Sequence, residues 1–456
     1  MTIAYKQAGL IESAKRIFTL ALPMSGSQLI NVSSGFLTMS MLAHLGPKIL
    51  AASALIYSTQ LSLMVSGLSI LFSLGVLISR AYGAKNFSAV GSYLRQGWSF
   101  ALIVCIPVIL VFWNIDKILI FFGQSPELAA ILKKYFHVYV FAVPFGFLSA
   151  CNQQFGYGIH KKLLMVFTSI LSVTCMLITA WTLIFGKFGF PKLGVEGLAI
   201  AIIVQYVTFF LFSTLFYFFE KSFRHFEIFN FKMKSEHNHF REMLRVGWPM
   251  SVQMGGEMLS FWVSSIMIGW LGAVSLAAIQ VVNQYYFLIV VPIFSLSQAS
   301  GMLVGHAYGA KQLHQIKVLG QASILIVLIA STIVAAVFLL FPKQLAMVYM
   351  NVNDPALKTT IHLIVLLFII TAFSQLLDSI RNISTGLLRG LLDTRIPMII
   401  SLLAIWIIGL PLSYFLGFTL HYGVVGFWAG GLIDFSIAAI GLLYRWHVVS
   451  NRVGVY

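Results

Sequence analysis

The sequence predicts an all-α polytopic membrane protein with twelve transmembrane helices. Three observations lead to this fold class. Of 456 residues, 59% are hydrophobic and only 9% are charged, whereas ordinary soluble domains carry roughly 25% charged residues. Apolar stretches along the chain are long enough for spanning helices, which need roughly 20 residues each. The two halves of the chain also repeat one another in sequence.

The twelve apolar stretches divide into two groups of six. Each run is continuous, whereas strands of a membrane barrel would show roughly ten-residue segments of alternating polarity. We therefore expect helices. The stretches lie within 17–43, 50–79, 96–115, 135–157, 163–186 and 194–219, and then within 244–270, 275–305, 319–341, 359–388, 396–417 and 424–444.

The distribution of positive charge predicts the orientation of the chain. A net charge of +16 could indicate nucleic-acid binding, but 20 of the 29 Lys and Arg residues fall on one side of the predicted spans and eight on the other. This is the positive-inside bias. It places both termini in the cytoplasm, and no basic stretch carries the interleaved aromatic residues of a nucleic-acid site. We expect no nucleic-acid partner.

An internal repeat predicts two pseudo-symmetric six-helix bundles. The segments PMS at 23–25 and AYGAK at 81–85 recur 226 residues later, at 249–251 and 307–311. Six spans are an even number, so both copies enter the membrane in the same orientation. Such bundles are related by an axis along the membrane normal, and alternating access follows when one rocks against the other.

The repeat also predicts the domain boundaries. Residues 1–219 form an N-terminal bundle and residues 244–456 form a C-terminal bundle. The polar segment between them, 220–243, is rich in charged residues and is predicted to be a cytoplasmic linker. We expect a monomer whose other partners are the lipid bilayer and small-molecule substrates.

Three acidic residues are predicted to lie inside the membrane, and all belong to the second half. They are Glu257, Asp378 and Asp434. The offset of 226 places the neutral Asn31 opposite Glu257. The segments GVEG at 194–197 and GVVG at 423–426 lie 229 residues apart, which places the neutral Gln205 opposite Asp434. A charge at mid-bilayer costs at least roughly 2.5 kcal/mol on insertion scales, so such residues usually face a cavity or a partner. The chain contains no phosphate-binding P-loop. An ion gradient is therefore the expected energy source, and no cofactor is expected.

The chain resembles the MATE (multidrug and toxic compound extrusion) family, in particular its NorM-like bacterial branch. The resemblance rests on both AYGAK segments, GKFG at 186–189, LGVEG at 193–197 and TGLLRGLLDTRIPM at 385–398. It implies a secondary active antiporter that exports cationic or amphipathic drugs in exchange for Na⁺ or H⁺. It also implies a multi-pass protein of the bacterial inner membrane and not an enzyme.

The resemblance assigns two candidate cation-binding residues. Glu257 lies eight residues after Pro249, and Asp378 lies upstream of the LRG segment, as in the NorM-like pattern. The implied coupling ion at these carboxylates is Na⁺ or H⁺. Many family members also have an aspartate fifteen residues after the proline of span 1, but here that position is Thr38. The ion site is therefore expected in the C-terminal bundle.

Arg381 departs from the family pattern, which has a neutral residue at this position. It lies three residues after Asp378, so both side chains share one helix face. An intramembrane arginine needs a partner, and we expect this partner to be Asp378 or Asp434. Arg381 and Asp434 are thus further candidates for the ion or substrate site. We expect Arg381 to be released from this partner when substrate or ion binds. The alternatives are a permanent structural salt bridge and an Arg381 that points into a water-filled cavity.

Two polar residues and two prolines complete the candidates. Gln280 and Asn283 share one face of span 8 and are a possible ion or substrate site, although hydrogen bonding between helices explains them equally well. Pro23 and Pro249 occupy equivalent positions of spans 1 and 7 and are possible hinges, because proline frees backbone carbonyls. A simple kink is the alternative.

Two other function classes remain open at this point. A lipid-linked oligosaccharide flippase of the same superfamily would share the twelve-span plan, but it usually lines its cavity with several basic residues. A receptor or membrane enzyme would need no duplication, and the sequence contains no H-E-x-x-H motif or Ser/His/Asp set.

Overall fold

The structure, a computed structural model, describes residues 9–121, 123–230, 239–349 and 357–453. Within these ranges every regular element is helical. This agrees with the composition, because a chain in lipid must satisfy its backbone N–H and C=O groups within each segment. The middle of the predicted linker, residues 231–238, lies outside the described residues.

The helices of the N-terminal half follow the first six predicted spans. One span consists of two helices joined by a 3₁₀ turn at 69–71, and another is bent by 53° between its two helices. The helices are α1 (Leu10–Ala43), α2 (Pro47–Leu68), α3 (Phe72–Gly83), α4 (Phe87–Trp113), α5 (Ile115–Phe121), α6 (Pro126–Tyr139), α7 (Ala142–Gly158), α8 (Lys162–Phe185) and α9 (Val195–Phe219).

The C-terminal half contains the remaining six spans. Its eleventh span is interrupted by two π-helical segments, at Ala404–Gly409 and Phe415–Thr419. The helices are α10 (His239–Trp270), α11 (Ala273–Gly309), α12 (Leu313–Leu340), α13 (Pro342–Met347), α14 (Lys358–Gly390), α15 (Arg395–Leu403), α16 (Leu410–Tyr414) and α17 (Gly423–Val453).

These helices confirm the predicted class of an all-α, multi-pass membrane protein with twelve spans. Among the described residues, nine helices are long and apolar enough to cross a membrane, and the bent pair α6–α7 makes ten. The helices α1 and α10 correspond to the other two spans and contain 34 and 32 residues. They are less apolar because each carries several Ser and Gly residues.

The sequence repeat is also a repeat of backbone geometry. Gly46 and Gly272, which lie 226 positions apart, both have positive φ angles, of 118° and 100°. Lys85 and Lys311, the last residues of the two AYGAK copies, have φ angles of 57° and 58°. A left-handed residue at a helix end lets the following amide bond back to the last turn. The same turn therefore closes α3 and α11.

Contacts divide the chain into two compact units. The N-terminal unit is Pro23–Ser251, and the C-terminal unit comprises the residues up to Leu22 and from Val252 onward. The boundaries therefore fall inside α1 and α10, at or just after the prolines Pro23 and Pro249. Both helices continue through their prolines without a break.

Glycines bring α11 and α14 into close contact within the C-terminal unit. A Cβ atom on Gly386 would lie 2.3 Å from the backbone oxygen of Ser297, and one on Gly390 would lie 2.5 Å from that of Gly301. The hydroxyl of Ser297 donates to the Asn382 carbonyl at 2.6 Å. Small residues allow such backbone approach in membranes. They fix the part of α14 that carries Asp378 and Arg381.

The first part of the predicted linker packs on the N-terminal unit. Residues Lys221–Phe226 form a 3₁₀ helix whose end lies against α4. A Cβ atom on Gly91 would be 1.8 Å from the Phe226 carbonyl oxygen, and Arg95 donates to the carbonyl of Glu227. Only glycine at position 91 permits this approach.

We expect Gly91→Ala to displace this segment from α4. The added methyl group overlaps the Phe226 carbonyl, and overpacking of this kind costs about 1–3 kcal/mol. Thermal unfolding in detergent should occur at a lower temperature. Trypsin should also cut faster after Lys221 and Arg224 than in the unaltered protein.

Gly26→Ala is the matched control in the same unit. No atom lies within 4 Å of a Cβ built on Gly26, and alanine favours a helix over glycine. Equal cleavage rates for the two variants would contradict the docked position of residues 221–226.

Candidate functional site

The C-terminal unit encloses a cavity of about 220 Å³ among α10, α11, α14, α17 and the eleventh span. We call it the C-terminal cavity. Its polar wall contains three acids and one arginine, and its apolar wall is largely aromatic. The charged residues are Glu257, Asp378, Arg381 and Asp434, and the aromatic residues include Phe261, Tyr286, Phe287, Phe294, Phe427, Trp428 and Phe435.

Arg381 bridges two of the three acids. Its Nη1 donates to Oε1 of Glu257 at 2.6 Å, and its Nε donates to Oδ1 of Asp378 at 2.8 Å. The Nη2 atom lies 2.7 Å from the same Asp378 oxygen. Arg381 is 6% exposed and Asp378 is 3% exposed. The guanidinium group thus lies where a cation shared by these two carboxylates would lie.

Neutral donors bond to the second oxygen of Asp378 and to the Glu257 oxygen that Arg381 also contacts. The hydroxyl of Tyr286 donates to Oδ2 of Asp378 at 2.8 Å, and the Asn382 amide donates to the same oxygen at 3.1 Å. A carboxylate offers about four lone-pair sites, so Asp378 is fully engaged. The Gln253 amide donates to Oε1 of Glu257 at 3.1 Å. Helix spacing explains both neighbours, because Gln253 and Asn382 lie four residues from their acids.

A second buried arginine extends this network. Arg389 is 7% exposed, and its Nη2 donates to Oε1 of Gln253 at 3.1 Å. The span predicted at 359–388 left Arg389 in the loop that follows, and this placement is wrong. The helix α14 continues to Gly390 and buries this side chain within the C-terminal unit. Its nearest link to an acid runs through Gln253 to Glu257.

Asp434 forms no ion pair with Arg381 or Arg389 among the described residues, whereas Glu257 and Asp378 both pair with Arg381. Its Oδ1 is buried without a hydrogen-bond partner among the described residues, and its Oδ2 lies against Gly409, where a Cβ would be 2.3 Å away. Of the two partners expected for Arg381, the structure pairs it with Asp378 and adds Glu257. Distance along the chain could not indicate Glu257, because it lies 124 residues away.

The structure separates Gln280 from Asn283. Asn283 is 6% exposed, lines the C-terminal cavity, and has a buried Oδ1 with no partner in the described part of the chain. Gln280 is exposed and does not line the cavity. Residues three apart on a helix differ by about 60° in direction, from 3.6 residues per turn. That difference is enough to put Gln280 outside.

The N-terminal unit has its own cavity, of about 330 Å³, and none of the described residues that line it is charged. The amide of Gln205 donates to Oδ1 of Asn31 at 2.9 Å, and Tyr135 donates to Gln60 at 2.6 Å. Thr38 lines this cavity and donates to the Gly35 carbonyl at 3.0 Å. Only the C-terminal cavity therefore combines buried acids with a buried arginine.

The family model MatE matches residues 23–182 and 249–415. These two matches cover both copies of the internal repeat and most of the chain. The chain belongs to the MatE family. It is therefore a transporter and not an enzyme, and the NorM-like resemblance predicted from the sequence is confirmed.

Near-full-length similarity supports this assignment. The chain is 28% identical over 456 residues to the "Probable multidrug resistance protein NorM" of Synechocystis, covering 99% of this chain and 98% of that protein. It is 26% identical to the "Multidrug resistance protein NorM" of Photobacterium profundum, with 94% of each chain covered. A eukaryotic MATE transporter structure has a TM-score of 0.85 at 21% identity, covering 98% of this chain and 99% of that one. That structure shows the shared fold.

We expect Arg381→Gln to destabilise the protein and to create a sodium-binding site. Removing one partner of a buried ion pair costs about 3–5 kcal/mol, so the melting temperature in detergent should fall. Sodium chloride should then raise the melting temperature of the variant, because Na⁺ can take the position of the guanidinium group. Choline chloride at equal concentration is the reference salt.

Arg445→Gln is the matched control. Arg445 pairs with Asp393 at 2.7 Å but is 34% exposed, and exposed pairs contribute about 0–1 kcal/mol. Its melting temperature should change little and should not depend on sodium. Sodium stabilisation of the unaltered protein equal to that of Arg381→Gln would contradict this account of Arg381.

Proposed function

We propose that this protein is a secondary active antiporter that exports cationic or amphipathic drugs in exchange for Na⁺ or H⁺. It works by alternating access between the two bundles, and its ion site lies in the C-terminal cavity. The observation that carries this proposal is the set of buried charges at Glu257, Asp378 and Arg381. Charges in such a position are costly and indicate ion or substrate pathways.

The walls of the C-terminal cavity suit an amphipathic cation. Aromatic rings such as Phe261, Phe287 and Trp428 provide apolar contact area, and aromatic faces attract cations by about 0.5–2 kcal/mol. The acids supply the opposite charge. The multidrug resistance proteins to which this chain is similar support the same class of small-molecule substrate.

The buried arginines argue against the flippase alternative. An anionic lipid-linked substrate needs cationic groups that are free to bind phosphate. Arg381 is held by two carboxylates, and Arg389 donates to Gln253. The acids of the C-terminal cavity are therefore better placed to bind a drug cation than its one lining arginine, Arg381, is to bind a phosphate.

We place the protein in the bacterial inner membrane with both termini in the cytoplasm. The support is the distribution of Lys and Arg. Without the buried Arg389, 19 lie on the proposed cytoplasmic side and eight on the other. Residues 220–243 then join the two bundles on the cytoplasmic side. Under this proposal the transporter needs no cofactor, because the ion gradient supplies the energy for export.

Transport in proteoliposomes tests the coupling. With a sodium gradient or a pH gradient imposed separately, one of them should drive uptake or release of a fluorescent cationic drug such as ethidium. Glu257→Gln and Asp378→Asn should abolish this coupling, because each removes a negative charge that balances Arg381 in the cavity. Thr38→Ala should stay within about a few-fold of the unaltered rate, since Thr38 carries no titratable group.

Two results would count against the proposal. One is transport that neither gradient accelerates. The other is full coupling in both amide variants together with loss of coupling in Thr38→Ala, which would place the ion site in the N-terminal unit.

A further inference from the structure

Asp434 is a buried acid that the ion-pair network of the C-terminal cavity does not use. It lies on α17, is 8% exposed, and lines the cavity. Its Oδ1 has no hydrogen-bond partner among the described residues. A hydrogen bond with the backbone of Phe435 reaches the carboxyl group, but no ion pair with a described residue does. A buried ionised carboxylate without such a pair is costly, so it usually becomes neutral instead. This geometry favours a protonated Asp434 while the cavity is empty of substrate.

The charges of the neighbouring network balance without Asp434. Glu257 and Asp378 supply two negative charges, and Arg381 and Arg389 supply two positive charges. Arg381 bridges both acids directly, and Arg389 interacts electrostatically with Glu257 and is linked to it through Gln253. The charge of Asp434 is therefore additional. Its ionisation changes the net charge of the group from zero to −1.

The internal repeat gives an independent argument. The positions equivalent to Glu257 and Asp434 in the N-terminal unit are Asn31 and Gln205, whose side chains are hydrogen-bonded at 2.9 Å. Two amides can satisfy one another, since each carries donors and acceptors. Two ionised carboxylates carry acceptors only. At the equivalent positions of the C-terminal unit, Glu257 pairs with Arg381, and Asp434 keeps an Oδ1 with no hydrogen-bond partner among the described residues.

Among the described residues that line the cavity, the other titratable groups near Asp434 are already paired. Its charged or titratable neighbours are Asp378 and Arg381 on α14, Glu257 on α10 and Tyr286 on α11. The first three are held in ion pairs, and the Tyr286 hydroxyl donates to Asp378. On the other side, the eleventh span presents Gly409. Between residues 395 and 419 its titratable residues are Arg395 and Tyr414, neither of which lines the cavity.

We propose that Asp434 is the proton-exchanging group of this transporter and that Arg381 is a built-in cation paired with Glu257 and Asp378. A monovalent drug cation and a proton then compete for Asp434. Binding of the cation releases one proton from the Asp434 carboxyl group to water, and protonation releases the cation. Sodium does not take part, because Arg381 occupies the oxygens that would coordinate it. This inference rests on the proposed antiport and selects H⁺ over Na⁺.

Binding of tetraphenylphosphonium to the purified full-length protein tests the competition. This probe is a permanent cation, so its own charge does not change with pH. Its Kd should rise about tenfold for each unit by which the pH falls while Asp434 is protonated in the free protein, as linkage to one proton requires. Replacing choline chloride with sodium chloride should leave Kd unchanged.

Asp434→Asn should bind the probe more weakly, with a Kd that no longer depends on pH. Asp116→Asn is the matched control, because Asp116 forms an exposed pair with Lys133 in the N-terminal unit. It should keep the pH dependence of the unaltered protein. A pH dependence that persists in Asp434→Asn, or competition by sodium in the unaltered protein, would overturn the proposal.

Infrared difference spectra separate this inference from the antiport on which it rests. When the buffer is changed from neutral to acidic, the spectrum of the unaltered protein should gain the C=O band of a protonated carboxylic acid. The spectrum of Asp434→Asn should lack this band. If neither gradient drives transport and no probe binds, the antiport is wrong, yet this band still reports whether Asp434 takes up a proton. A spectrum without the band, or a band that survives in Asp434→Asn, overturns the proton site itself.

Discussion

A guanidinium group between two carboxylates in a low-dielectric interior is the constraint on which the C-terminal cavity depends. Each of these charges alone would be costly to bury, and the pair is favourable only if hydrogen bonds satisfy the remaining oxygens. Tyr286, Asn382 and Gln253 provide those bonds. Three helices, α10, α11 and α14, must therefore keep one relative arrangement for Arg381 to remain neutralised.

The backbone of the C-terminal unit supplies that arrangement. Glycines at 301, 386 and 390 let α11 and α14 approach so closely that an added methyl group would overlap the neighbouring backbone. Gly409 lies in a π-helical segment of the eleventh span, and an added methyl group there would overlap the side chain of Asp434. Such segments are frequent at functional sites, because they redirect side chains and backbone groups. Close packing thus fixes where each charge lies.

The asymmetry between the two repeats follows from chemistry at equivalent positions. In the N-terminal unit Asn31 and Gln205 bond to each other, and no charge lines the cavity. In the C-terminal unit the same positions are acids, so a cation or a proton is required for neutrality. Gly46 and Gly272 both have positive φ angles, so the two repeats share the same turn in the backbone. One fold therefore carries a neutral cavity and a charged one.

The sequence by itself determined the helical membrane fold, the repeat, the family and the three intramembrane acids. The fold, the repeat and the acids follow from composition, periodicity and residue spacing, which act locally along the chain, whereas the family follows from the resemblance of its motifs. Only the tertiary structure decided that Glu257 pairs with Arg381, that Asn283 and not Gln280 lines the cavity, that Arg389 is buried, and that Asp434 has an unpartnered oxygen. These facts depend on contacts between helices far apart in sequence, and a spacing rule within one helix cannot supply them.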